Sequence, residues 1–209
     1  MPDKQPMRIA LTGSIAMGKS TVAQMLRDEG IAVFDADAAV HEMYAVNGRA
    51  VSPVGERFPD AIVDEAVDRT RLAAAVLGNT EAMKALEDIV HPLVHEEQRR
   101  FLDQAAQRGD PIVVFDIPLL FEGNRPAEFD AVIVVSASPE QQRERALGRP
   151  GMTTEKFESI LARQVPDEDK RRQADFVIST ATSLDDTRLA VKKVLEQLRH
   201  RAMQQGRQA

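Results

Sequence analysis

Cysteine is absent from all 209 residues. A disulfide scaffold, a thiol nucleophile and a cysteine-ligated zinc site are therefore excluded. The lack is compatible with a reducing compartment. Tryptophan is absent as well, Tyr44 is the single tyrosine, and aromatics make up 4% of the chain, which leaves little for a base-stacking platform. Positive charge is short too. The formal net charge is −6, a poor basis for sequence-independent nucleic-acid binding, which needs a cationic face. Apolar runs such as Ile112–Phe115 and Ala131–Val135 are far too short to span a bilayer. The stretch Met1–Met7 is short and polar, so no secretory leader is expected.

What is present is ordinary globular material, 43% hydrophobic and 29% charged. The length suits one domain with insertions, or one core plus a small appendage. Arg8–Thr12 is a short apolar run ending at Gly13. A glycine-containing turn follows, then Lys19–Glu29, where Val22, Ala23, Met25 and Leu26 fall at helical spacing and Gly30 suits the C-terminal cap. Ile31–Phe34 predicts a second strand, which ends in Asp35-Ala36-Asp37. The opening forty residues thus predict a βαβ unit. From Ala38 to Gly109 strand signals fade. The pattern predicts helices over Asp68–Val76 and Glu81–Arg108, the second kinked or restarted at His91-Pro92, and loops or short helices over Met43–Asp68. This region is expected to be an all-α insertion. Pro111–Phe115 and Asp130–Val135 are near-continuous apolar runs, as in strands buried on both faces, and Pro118–Arg125 between them is a predicted loop. Helices are predicted over Glu140–Leu147 and Thr154–Val165, a fifth strand over Asp175–Ser179, and a last helix over Ser183–Met203 opened by a Ser183/Asp186 cap.

Gly13-Ser14-Ile15-Ala16-Met17-Gly18-Lys19-Ser20 matches G-x-x-x-x-G-K-[ST], and it sits between a predicted strand and a predicted helix, as the motif requires. Gly13 and Gly18 allow backbone angles and close approaches that a side chain would block. Successive N–H groups through Ala16 and Met17 form a concave anion nest, and the helix start at Lys19-Ser20-Thr21 adds the positive end of its dipole. Lys19 reaches β- and γ-phosphates, and the Ser20 hydroxyl is a Mg²⁺ ligand. The bland alternative is a glycine turn before an ordinary helix, which the full motif in this context disfavours.

Ligands of parallel α/β sheets bind beyond the carboxyl ends of the strands, where Asp35, Asp37 and Asp116 are expected. A kinase needs a carboxylate to orient and deprotonate the attacking hydroxyl, and Asp37 is the candidate base. Asp116 has the placement of a Walker-B acid and is a candidate metal ligand, directly or through water. The alternative reading has Asp35 or Asp37 capping the helix that begins near Ala38.

Residues 141–173 hold eight Lys/Arg against six Asp/Glu in a chain that is otherwise acidic. Arg143, Arg145, Arg149, Arg163 and Lys170 are candidates to meet an incoming polyphosphate; Leu147-Gly148-Arg149-Pro150-Gly151 suits a hinge, and Arg149 beside it is favoured for stabilising charge on the transferred phosphoryl from a mobile lid. For Arg163 or Arg172 alone a solvated helix with i,i+4 ion pairs is the better reading. His91 and His95 have metal-compatible spacing but no third ligand nearby, so packing or substrate contact is the better reading. The apolar Pro118–Glu122 loop offers a pocket wall with Glu122 as its polar point.

Together these residues resemble the dephospho-coenzyme A kinase family. The resemblance runs from about Arg8 to Leu198. It is carried by LTGSIAMGKST at Leu11–Thr21, VFDAD at Val33–Asp37, HP at His91–Pro92, VVFDIPLLFE at Val113–Glu122, Arg149, Gln164, and ADFVIST at Ala174–Thr180. One departure is the loop interior, where Ser14, Ala16 and Met17 stand in place of a glycine-rich run. The resemblance implies an α/β fold: a P-loop NTPase-type parallel five-stranded sheet flanked by helices. Within a single domain over 8–205, the core takes in about 8–40, 110–141 and 173–205. An α-helical acceptor-binding insertion takes in about 41–109 and a helical lid about 142–172.

The resemblance also implies transfer of the ATP γ-phosphate to the ribose 3′-hydroxyl of dephospho-coenzyme A, with Mg²⁺, giving coenzyme A and ADP. Asp37 is then the base, Lys19 and Ser20 serve ATP and Mg²⁺, and Arg149 is the lid arginine. The Ser179–Thr182 loop lies near adenine, and His91 and Leu120–Glu122 shape the acceptor site. A cytoplasmic enzyme is expected, a monomer by preference, with no nucleic-acid or membrane partner. The residues by themselves reach only a small-molecule P-loop kinase. A kinase for another small hydroxyl or a nucleoside monophosphate, and a nucleotide-gated switch without phosphoryl transfer, are the rival readings. A GTP switch would carry an N-K-x-D base reader, and no Asn-Lys pair occurs.

Overall fold

The computed structural model describes residues 5–123 and 126–205. Arg125, at the end of the predicted Pro118–Arg125 loop, and the first four residues of the predicted polar start lie outside them. The described residues form two compact units, Asp35–Asp103 and the remainder of the chain.

The larger unit is built on a parallel sheet. Its strands are β1 (Met7–Thr12), β2 (Ala32–Asp35), β5 (Ile112–Asp116), β6 (Ala131–Ser136) and β7 (Phe176–Ser179), in the order β2-β5-β1-β6-β7. β1 is central and pairs in parallel with β5, Leu11 opposite Asp116, and with β6 on its other side, Thr12 opposite Val134. Every residue of β5 and β6 is buried, which is why both read as unbroken apolar runs. Alternate residues Ile9 and Leu11, Ile112 and Val114, Ile133 and Val135 share one face. That face packs against α1 (Lys19–Asp28) and α9 (Leu184–Gln205), whose Val22, Leu26, Val191, Leu195 and Leu198 are almost wholly buried. On the other face Phe115 meets Phe34 and Phe129 at 5.6 Å between ring centres, in tilted geometry.

α6 (Pro139–Leu147), α7 (Thr154–Leu161) and α8 (Asp167–Gln173) lie between β6 and β7 in the chain. Local chemistry starts the first two. Ser138 caps α6 by accepting the Gln141 N–H, and Thr153 caps α7 by accepting the Lys156 N–H. The predicted Thr154–Val165 helix is shorter than expected. α8, which the sequence pattern did not predict, starts after Pro166 with three acidic residues in its first turn and three basic ones in its last.

The smaller unit holds α2 (Ala36–Tyr44), α3 (Val51–Arg57), β3 (Ile62–Val63), β4 (Ala66–Val67), α4 (Arg69–Val76) and most of α5 (Thr80–Arg108). Two expectations are corrected here. The region is not all-α, because β3 and β4 pair antiparallel as a minimal hairpin. Its turn places Asp64 and Glu65 at φ 48° and 61°, which their polar side chains tolerate but which carries no glycine signal. And α5 does not restart at His91-Pro92 but runs on through the proline. Proline removes one backbone donor. The apolar stripe Ala82, Leu86, Ile89, Val90, Leu93 and Val94 nevertheless packs on one cluster with Val54, Phe58 and Leu72, and this burial on both sides of the proline holds the helix together. Among the described residues no helix is long and apolar enough to cross a membrane.

Candidate active site

The turn from β1 to α1 follows the central strand at its carboxyl end. Gly13 is required by crowding, since a Cβ there would lie 2.7 Å from the Val135 carbonyl oxygen. Gly18 is required by its dihedral: it caps α1 with φ 88°. Ala16 is left-handed as well, at φ 60°, without a glycine's freedom. The loop borders a cavity of about 800 Å³ lined by Gly13–Thr21, Leu119, Arg145, Arg149, Gln164 and Thr180. Ser20 and Thr21 are exposed there, whereas the Met17 side chain is buried, so Met17 offers a ligand only its backbone.

Lys19 pairs with Asp116 at the end of β5, and both are largely buried. This places the carboxylate predicted from the strand end next to the loop lysine. The Ser20 hydroxyl and the Asp116 carboxylate are hard oxygen donors, a set that suits Mg²⁺ completed by water and phosphate oxygens. No cluster of three or more His, Asp or Glu able to hold a metal by themselves occurs among the described residues, and Mg²⁺ does not need one.

Arg149 lines the cavity and is exposed. Arg145 is engaged: its guanidinium donates to the Thr180 hydroxyl at 2.9 Å and to the Thr180 carbonyl at 2.7 Å. The loop itself is braced from several sides. Gln164 accepts the Ile15 N–H at 3.0 Å, Gln142 donates to the Ile15 carbonyl at 2.9 Å, and Thr180 donates to the Met17 carbonyl at 2.8 Å. Ile15 and Ala16 also pack with Ala146, Phe157 and Leu161 of α6 and α7. Gln142 was missed by sequence reasoning. Its only local signal is a polar residue at a buried helical position, and nothing in the neighbouring residues names its partner.

Two residues expected at the acceptor site, Leu120 and Glu122, are engaged within the larger unit. Leu120 has no exposed surface, so it packs in the interior, whereas Pro118 and Leu119, the latter 53% exposed, line the cavity. Glu122 is committed to the fold. It accepts the Val165 N–H at 2.9 Å and pairs with the fully buried Lys170 at 2.8 Å. Burial pushes the Glu122 carboxyl up, but Lys170 and the N–H donors outweigh it, and the group titrates below its ordinary value.

In the smaller unit Asp35 accepts the Ala38 N–H at 3.0 Å and caps α2. Asp37 lies in the first turn of that helix, two residues past the end of β2, and is exposed. That leaves the capping role to Asp35. His91 is exposed on α5, one residue before Pro92.

A parallel sheet with a glycine-bounded anion loop after its central strand, a lysine at the following helix start and a strand-end carboxylate against it define a P-loop kinase core. The family model described as dephospho-CoA kinase matches residues 7–186. A dephospho-CoA kinase of Ruegeria pomeroyi is 50% identical over 192 residues, covering 92% of this chain and 95% of the relative. A solved structure from Thermus thermophilus shares 35% identity with a TM-score of 0.78 over 93% of this chain and 99% of its own. Dephospho-CoA kinase from Campylobacter jejuni shares 25% identity with a TM-score of 0.64, over 91% and 96%. The chain belongs to the dephospho-CoA kinase family.

Proposed function

We propose that this enzyme transfers the γ-phosphoryl group of ATP to the ribose 3′-hydroxyl of dephospho-coenzyme A, releasing coenzyme A and ADP. The observation that carries the chemistry is the braced loop with Lys19 held at the Asp116 carboxylate. Family membership supplies the acceptor.

In this reading the N–H groups of Ala16 through Thr21 hold the phosphate tail, aided by the α1 dipole. Lys19 transfers its ammonium from Asp116 to β- and γ-oxygens as the nucleotide arrives. Asp37 orients the ribose hydroxyl and takes its proton as the new P–O bond forms. Arg149 contributes positive charge to the equatorial oxygens from a lid of about residues 142–172, hinged at Gly148–Gly151. The Ser179–Thr182 loop borders the adenine. Leu119 and His91 contact the acceptor, which the insertion of about residues 41–109 binds. Ser20 and Asp116 would hold Mg²⁺, which when bound neutralises charge on the phosphate oxygens. The reading carries with it a cytoplasmic monomer with no nucleic-acid or membrane partner, checked by cell fractionation and sedimentation.

The direct test is mass spectrometry of the product formed from dephospho-coenzyme A, ATP and Mg²⁺, beside reactions offered nucleoside monophosphates. A mass gain of one phosphoryl group on dephospho-coenzyme A alone is expected. Absence of that product, or equal ADP formation with and without acceptor, overturns the reading.

A further inference from the structure

Two carbonyls of the phosphate loop accept hydrogen bonds from buried side chains. The Ile15 carbonyl accepts from Gln142 Nε2 at 2.9 Å, and the Met17 carbonyl accepts from the Thr180 hydroxyl at 2.8 Å. Gln142 and Thr180 are each only 6% exposed. A buried amide or hydroxyl costs free energy unless it is hydrogen-bonded, so each donor is strongly committed to its carbonyl.

The consequence lies on the other end of each peptide unit. In a trans peptide the carbonyl and the following N–H point in opposite directions. Directing the Ile15 carbonyl at Gln142 turns the Ala16 N–H away from Gln142, and directing the Met17 carbonyl at Thr180 turns the Gly18 N–H away from Thr180. Ala16 and Gly18 both line the cavity. Ala16 also needs restraint, because φ 60° costs a residue with a Cβ about 1 kcal/mol or more. Gly18, at φ 88°, has no such preference and could rotate its peptide at little cost. A third brace, Gln164 Oε1, takes the Ile15 N–H at 3.0 Å, so the peptides on both sides of Ile15 are held.

We infer that Gln142 and Thr180 are positioning residues for the donor's phosphate tail. Through their hydrogen bonds to the Ile15 and Met17 carbonyls they set the direction of two amides that bind it. The inference rests on the reading of this loop as the ATP phosphate site, and it adds where the orientation of that site comes from: the first helix after β6 and the end of β7, each more than a hundred residues along the chain.

The test uses the full chain and titrates inorganic tripolyphosphate, ADP and adenosine by calorimetry. Tripolyphosphate reports on the loop without help from the base. Gln142→Met keeps the length and removes the donor, and Gln142→Glu keeps the shape and sets an acceptor against the Ile15 carbonyl. Thr180→Val removes the hydroxyl, and Thr180→Ser restores it. Circular dichroism melts identify the folded variants. For Gln142→Met, Gln142→Glu and Thr180→Val, tripolyphosphate and ADP affinity are expected to fall about tenfold, the order of one lost hydrogen bond. Adenosine affinity in the Gln142 variants stays within about twofold, and Thr180→Ser recovers the wild-type values. Unchanged tripolyphosphate affinity in the folded variants overturns the inference. So does an equal loss of adenosine affinity in the Gln142 variants, which marks a general structural role. A wild-type chain that binds no tripolyphosphate overturns the phosphate-site reading beneath it, an outcome seen before any variant is made.

Discussion

The amino group of Lys19, in the first turn of α1, rests on the carboxylate of Asp116, at the last position of β5. The contact joins residues 97 positions apart. It follows from sheet register: Asp116 lies opposite Leu11 on the central strand, just before the loop that delivers Lys19. The pair keeps the Lys19 charge balanced beside the cavity.

In the proposed mechanism Lys19→Ala removes a phosphate contact, and it also removes the ion pair with Asp116. Both nucleotide affinity and turnover should fall. Calorimetry with ADP and initial rates check this, and unchanged kinetics would remove Lys19 from its role.

Asp116→Asn frees Lys19 while deleting a candidate metal ligand. Nucleotide affinity should stay within a few-fold. The Mg²⁺ concentration for half-maximal rate should rise and the saturated rate should fall. A Mg²⁺ titration of initial rates decides it, since an unshifted curve at normal turnover separates Asp116 from the metal.

Asp37→Asn should cut turnover by at least about a hundredfold, the usual size of a general-base contribution, with ATP affinity largely retained. Asp35 already caps α2, so the Asp37 variant should melt near the parent temperature. Near-normal turnover would exclude Asp37 as the base.

The Glu122–Lys170 pair predicts a pH effect on stability. The folded-state Glu122 carboxyl titrates below its ordinary value. Its contribution is thus fully present above the unfolded carboxylate value of about 4.3 and is lost as pH falls through the lower folded value. Glu122→Gln leaves Lys170 buried without its counter-charge and should cost about 3 kcal/mol at neutral pH, with a flatter acid limb. Adding Lys170→Met should recover much of that loss. Urea unfolding of the single and double variants across pH 3–7 measures both, and equal losses in the two would show that the ion pair is not the source.

Gly13→Ala should destabilise by about 1–3 kcal/mol, because the new methyl group would collide with the Val135 backbone oxygen, which cannot rotate away. Thermal unfolding reads this directly. A neutral result would mean that the β1–β6 strand pair gives way locally.

The legible part of this protein is the part written in neighbouring residues. The strands showed because β5 and β6 are buried along their whole length, and α1 showed because its apolar residues repeat at helical spacing. The anion loop showed because backbone amides at a helix start need glycine at two fixed offsets. Less was legible where burial overrides local preference. Pro92 signalled a break that packing on both of its sides abolishes. The β3–β4 hairpin turns on Asp64 and Glu65 with no glycine to announce it. Glu122 looked like a polar point in a pocket wall, and its carboxylate is taken by Lys170 from a helix that the pattern did not predict.

By itself, then, the order of residues determined the phosphate loop, the strands that carry it and the family to which the chain belongs, since all three rest on short-range spacing. Only the tertiary structure decided which distant groups complete the loop: Asp116 for its lysine, and Gln142, Gln164 and Thr180 for its peptides. A hydrogen bond between residues 127 positions apart leaves no periodicity in the chain, because its partners become neighbours only when the sheet stacks and the helices after β6 fold back over the β1 turn.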